Sequence, residues 1–156
     1  MTSLTKFLTL IAILVSGIAY GQFVTIPPGA NKGSILAKHG YRVTINPLKR
    51  ADFKIGFDAN YNHEVYLIEE ATGDILYSRT KNDGGGSFSL PQNISYEDYN
   101  IIVTVVLFWT NSREGKVYYN LAPIPLSNTP TYLKLGYEDS GDHDNNDVEF
   151  SAFINN

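Results

Sequence analysis

The chain has 156 residues, a formal net charge of −4, and no cysteine. That balance excludes a basic footprint of the kind that DNA, RNA or an anionic membrane requires. The missing cysteines exclude thiol catalysis, thiolate zinc sites and disulfide staples. A chain of this length buries enough surface for its core to hold it without staples.

The first residues carry an export pattern. Lys6 supplies a positive start, Phe7–Ala19 is mostly apolar, and Ala19-Tyr20-Gly21 offers small residues at a peptidase site. Cleavage is expected before Gln22, so residues 1–21 form a signal peptide and 135 residues remain. The apolar run is shorter than the roughly 20 residues that span a bilayer, and no other stretch qualifies as a membrane span. The expected location is secreted, periplasmic or at the cell surface.

Residues 22–39 carry Pro, Gly and Lys without a clear period. They read as an N-terminal extension, either an arm or an extra edge strand. From residue 40 to 156, short runs of Val, Ile, Tyr, Phe and Thr alternate with turn clusters, the pattern of an all-β sandwich or barrel. The expected strands are Tyr41–Ile45, Phe53–Phe57, Glu64–Glu69, Ile75–Thr80, Ser87–Leu90, Tyr99–Thr110, Lys116–Leu121, Thr131–Tyr137 and Val148–Ile154. This predicts an antiparallel β-sandwich of about nine strands in a single domain. In the last strand, Val148, Phe150, Ala152 and Ile154 share the expected core face, which leaves Phe153 outside. Ala71-Thr72-Gly73-Asp74 reads as a hairpin turn. Gly84-Gly85-Gly86 lacks the Lys-Ser/Thr and the helix that a phosphate loop needs. Pro123, Pro125 and Pro130 mark an irregular connector.

The most informative segment is Gly136–Asp147, which packs Glu138, Asp139, Asp142, Asp144, Asn145, Asn146 and Asp147 between two strands. Crowded carboxylates repel one another, and a hard divalent cation removes that penalty. Calcium takes six to eight oxygen ligands in flexible geometry. An EF-hand is excluded, since no helices flank the loop and no Glu closes it. The alternative is a solvated acidic turn.

The motif Glu138-Asp-x-x-Asp142-x-Asp144-x-Asn146-Asp147 resembles the signature of the two-calcium bacterial lectins of the LecB (PA-IIL) type. Upstream, Phe53–Asn60 is similar to the family's strand before its specificity loop, and Val43–Pro47 to its opening strand. The resemblance covers about Gly40 to Asn156. It implies a nine-stranded sandwich with two Ca2+ ions that coordinate hydroxyls of a fucose- or mannose-like monosaccharide or glycan. It implies Asn60, Glu138, Asp142, Asp144, Asn146 and Asp147 as metal ligands, with Asn156 reaching a neighbour's site in a homodimer or higher homo-oligomer. The sugar is assigned to Tyr61, Asn62, His63, Asp139, Asp142, Asp144 and Asp147, the first three forming the specificity loop at the rim. Asp139 lies outside the metal-ligand pattern, so its replacement is expected to be nearly silent.

Trp109 reads as a core or edge aromatic rather than a sugar platform. His143 is expected to face solvent. Glu69-Glu70 and Glu97-Asp98 read as solvated pairs, and no acid–base pair or nucleophile triad is present, so no enzymatic activity is expected. The preferred function is calcium-dependent carbohydrate binding. The alternative is a calcium-braced surface or adhesion module that binds no sugar.

Overall fold

The computed structural model describes residues 21–59, 61–111, 115–139 and 146–156. They form two antiparallel sheets. Sheet A holds β1 (Gln22–Ile26), β2 (Tyr41–Ile45), β4 (His63–Glu69), β5 (Ile75–Thr80), β7 (Tyr99–Asn111) and β8 (Gly115–Asn120). Sheet B runs β6 (Gly86–Leu90), β3 (Arg50–Phe57), β11 (Val148–Asn155), β10 (Tyr132–Tyr137), β9 (Ile124–Asn128). An α-helix, α1 (Lys32–Ala37), follows β1. Among the described residues no helix is long and apolar enough to cross a membrane.

Alternation along the strands builds the core between the sheets. Val65 and Leu67 from β4, and Val103 and Val105 from β7, face Phe53 and Ile55 from β3 and Phe150 from β11. Phe53 stacks on Phe150 with ring centroids 5.7 Å apart. In β11, Val148, Phe150 and Ala152 are buried, while Phe153 lies on the outer face against Tyr132.

β7 is unlike the other strands. Residues 101–107 are all buried, so both of its faces are covered. One long edge of β7 pairs with β4, and the other is shared end to end by β2 and β8. Its outer face is covered by the N-terminal segment. Leu36 of α1 packs with Val24, Tyr66, Ile68, Ile102 and Tyr118 in a second apolar cluster. Thr104 donates to the Leu36 carbonyl at 3.1 Å. Asn31 caps the helix by accepting from Ser34 N–H at 3.0 Å. Gly33 allows the helix to meet the β4–β5 turn, because a Cβ there would lie 2.0 Å from the Gly73 carbonyl oxygen.

The structure adds to three sequence expectations. The segment 22–39 is neither an arm nor only an edge strand: it adds β1 beside β8 and a helix over the sheet. The proline-marked connector contains β9, an edge strand where Pro125 lacks only an N–H that no second neighbour requires. With these two strands beyond the nine expected, the antiparallel sandwich has eleven among the described residues.

Candidate metal and ligand site

The β10–β11 hairpin closes on the pair Tyr137↔Val148, with both side chains buried between the sheets. The next residues, Glu138 and Asp139 on one side and Asp147 on the other, therefore stand at the two feet of the connecting loop. Ligand oxygens of Glu138, Asp139 and Asp147 lie within 4.8 Å of one another. β3 ends beside them: Phe57 pairs with Val148, and Asp58 N–H donates to the Asp147 carbonyl at 3.0 Å. The end of β3 thus lies next to the acidic cluster. Asn60, Asp142, His143 and Asp144 lie outside the described residues, and so does the side chain of Trp109. Asn146 is half-buried beside Asp147.

Asp147 is only 6% exposed. Burial raises its pKa above the usual carboxylate value, and the charge of Asp139 raises it further. The Asp139 N–H, which donates to Asp147 Oδ2 at 2.7 Å, a hydrogen bond with Glu138 and the charge of His63 act in the opposite direction. A negative group partly stripped of water among other carboxylates is a site that gains from a cation.

His63 begins β4 in the facing sheet and is fully buried. Its Nδ1 lies 3.0 Å from the Tyr61 carbonyl, a contact that needs Nδ1–H as donor. Nε2 lies 2.9 Å from Asp139 Oδ2. With the neutral ring's proton already on Nδ1, a nitrogen lone pair would face a carboxylate oxygen. The pair is favourable only with one further proton, on the ring or on the acid. Burial opposes the charged ring and lowers the His63 pKa, outweighing the Tyr61 hydrogen bond and the Asp147 charge.

Two expectations change here. His63 is not at a rim. As the first residue of β4, opposite Leu107, it turns inward and holds the loop before it. Tyr61, at 58% exposure, and Asn62 are the members of the triplet that face solvent. Nor is Asp139 a peripheral carboxylate, since its side chain is 2% exposed against His63. The resemblance assigns both residues to the sugar site, but neither spacing nor period signals their direct contact across 76 positions of sequence. Asn156 follows the opposite end of β11, where it contacts Lys49, so within one chain it does not join the cluster. Glu70 and Asp98, from the acidic pairs outside the site, have partners of their own. Arg42 Nε donates to Glu70 at 2.9 Å, and Asn46 donates to Asp98 at 2.9 Å.

No protein-family model and no curated protein matches the sequence. Solved structures do match. One is the Chromobacterium violaceum lectin CV2L in complex with alpha-methyl-fucoside: 15% identity, 71% of this chain and 92% of that one, TM-score 0.47. A second is the Ralstonia solanacearum high-affinity mannose-binding lectin: 16% identity, the same coverages, TM-score 0.47. A third is the C-terminal domain of the BC2L-C lectin from Burkholderia cenocepacia: 12% identity, 72% and 93% coverage, TM-score 0.48. All three are described as lectins.

Proposed function

We propose that this chain is an exported carbohydrate-binding protein whose sugar is held through two calcium ions at the feet of the β10–β11 loop. The observation that carries this reading is the convergence of Glu138, Asp139 and Asp147, with Asp147 nearly out of water. The donors are all oxygens, which suit a hard cation. Asp142, Asp144 and Asn146, which lie between Asp139 and Asp147 in sequence, and Asn60, which follows β3, complete the proposed ligand set. Asn156, at the far end of β11, serves only a neighbour's site, in a homodimer or larger assembly.

Calcium bound there supplies open coordination positions for vicinal hydroxyls, a pattern found in fucose- and mannose-like sugars. The chain's own groups do the rest. Stripping water from sugar hydroxyls is costly unless each regains a partner. Ionised carboxylates around the ions accept the hydroxyl protons in charge-assisted hydrogen bonds. Tyr61 presents an exposed ring for an apolar C–H face, and Asn62 presents an amide beside it. His63 holds this short loop through the Tyr61 carbonyl and fixes Asp139 against the sandwich. Every role is one of binding; the reading includes no catalytic group.

Thermal unfolding tests the metal. A ligand bound only by the native state stabilises it by about 2.7 kcal/mol at a hundredfold excess over Kd. The melting temperature should rise steadily with free calcium and fall back with chelator. A temperature that does not move would rule out calcium. A rise with calcium but no sugar binding would favour the braced adhesion module instead.

A further inference from the structure

The outer face of sheet B holds a cavity of about 450 Å3 over β3, β6 and β11. Its lining includes Lys54, Gly56, Gly85, Ser87, Glu149 and Ser151. The register sets them in rows, Ser151–Lys54–Ser87 across three strands and Glu149–Gly56 beside it. Lys54 and Gly56 alternate with buried Ile55, and Glu149 and Ser151 with buried Phe150, so they lie on the face away from the core, and Ser87 shares it opposite Lys54.

Gly56 has no role in the fold that requires glycine. Its φ is not positive, and a Cβ built on it meets nothing within 4 Å. Glycine inside a strand weakens it, and such positions mark the close approach of a ligand or another backbone. The sheet would gain from a side chain here, and its absence keeps the cavity floor open.

The charge is also biased. Lys134 Nζ lies 2.7 Å from Glu149 and balances it. Lys54 is exposed and has no ion-pair or hydrogen-bond partner among the described residues. On a chain of net charge −4, this spot carries a spare cation. Ser87 and Ser151 add hydroxyls that donate and accept, as sugar hydroxyls do. The volume exceeds what a small inorganic anion fills.

We propose that this cavity is a second, calcium-independent site for a saccharide that bears a carboxylate, a hexuronate. Lys54 meets the carboxylate, Ser87 and Ser151 meet ring hydroxyls, and the ring lies over Gly56. The proposal does not rest on the calcium site, and its test runs in excess chelator so that the two fail separately.

Amide resonances are followed by NMR while a glucuronate trisaccharide is added. A neutral glucose trisaccharide and a triglutamate peptide serve as controls. Lys54, Gly56 and Gly85 should shift saturably with the uronate alone. Lys54→Gln should raise its Kd at least fivefold. Gly56→Val should abolish binding without lowering the melting temperature, because the added side chain suits a strand. Unmoved resonances, equal shifts with either control, or undiminished binding by both variants would overturn the proposal.

Discussion

At the scale of single residues, the sharpest consequence concerns Asp139. Its carboxylate faces buried His63 Nε2 across 2.9 Å, and the pair needs a proton to be favourable. Asp139→Asn supplies a permanent N–H donor to that nitrogen, so it should leave stability in chelator unchanged or higher. Asp139→Ala leaves Nε2 buried without a partner and should cost about 1–3 kcal/mol. Urea unfolding of both variants without metal checks the pair, and equal effects would mean that the contact carries no energy. Asp139 was expected to be silent because sequence spacing describes a loop's own residues and not what the opposite sheet brings to it.

Buried tyrosines give a pH dependence with a definite sign. Burial pushes the Tyr99 hydroxyl up to about 12, with a hydrogen bond to Glu69 adding to it. Burial also raises Tyr137, which is 1% exposed, and Tyr66, where Glu64 contributes. A folded pKa above the unfolded value of about 10 means that the unfolded chain releases its proton first. The stability is then fully present below about pH 10 and is lost as pH rises toward the folded value. A fully buried hydroxyl such as Tyr137 gives up to about 1.4 kcal/mol per pH unit in that window. Unfolding midpoints should therefore hold steady up to pH 9 and fall steeply above 10. Absorbance of tyrosinate should show a late fraction that ionises only with unfolding. A flat midpoint to pH 11.5 would contradict this.

Among the elements, α1 and β1 were the least legible. Six helical residues are too few for a periodic signal. Their necessity was nonetheless written elsewhere, in the run Ile101–Leu107. A strand apolar at nearly every position is buried on both faces, and sheet B covers only one. The N-terminal segment provides the other cover. Leu36, with no exposed surface, is its central contact. Leu36→Ala should cost about 2–5 kcal/mol, measured by urea unfolding, while calcium and sugar binding persist, since Leu36 touches none of the site residues. A loss below 0.5 kcal/mol would mean that the helix merely rests on sheet A. The strands that were legible, such as β4, β7, β10 and β11, owe it to β-branched and aromatic residues between clear turns. β9 was not, because Pro125 masks an edge strand that tolerates it.

At the scale of the whole molecule, the sandwich places the acidic cluster where the ends of both sheets meet. Glu138 and Asp139 after β10 and Asp147 before β11 supply the carboxylates, β3 ends beside them, and β4 supplies the prop His63. The motif at 138–147 was legible because like charges crowded without reason stand out in a sequence. The convergence of three chain segments on it was legible only through the resemblance, since it depends on strand order. The central claim is that this convergence holds calcium and that calcium holds sugar. Isothermal titration of the intact chain with alpha-methyl-fucoside and alpha-methyl-mannoside, first in millimolar calcium and then in excess chelator, tests it most directly. Saturable binding of at least one glycoside in calcium, abolished by chelator and by Asp144→Ala, is the expected result. Binding that is identical in chelator, or no binding of either sugar by protein that calcium demonstrably stabilises, would contradict it.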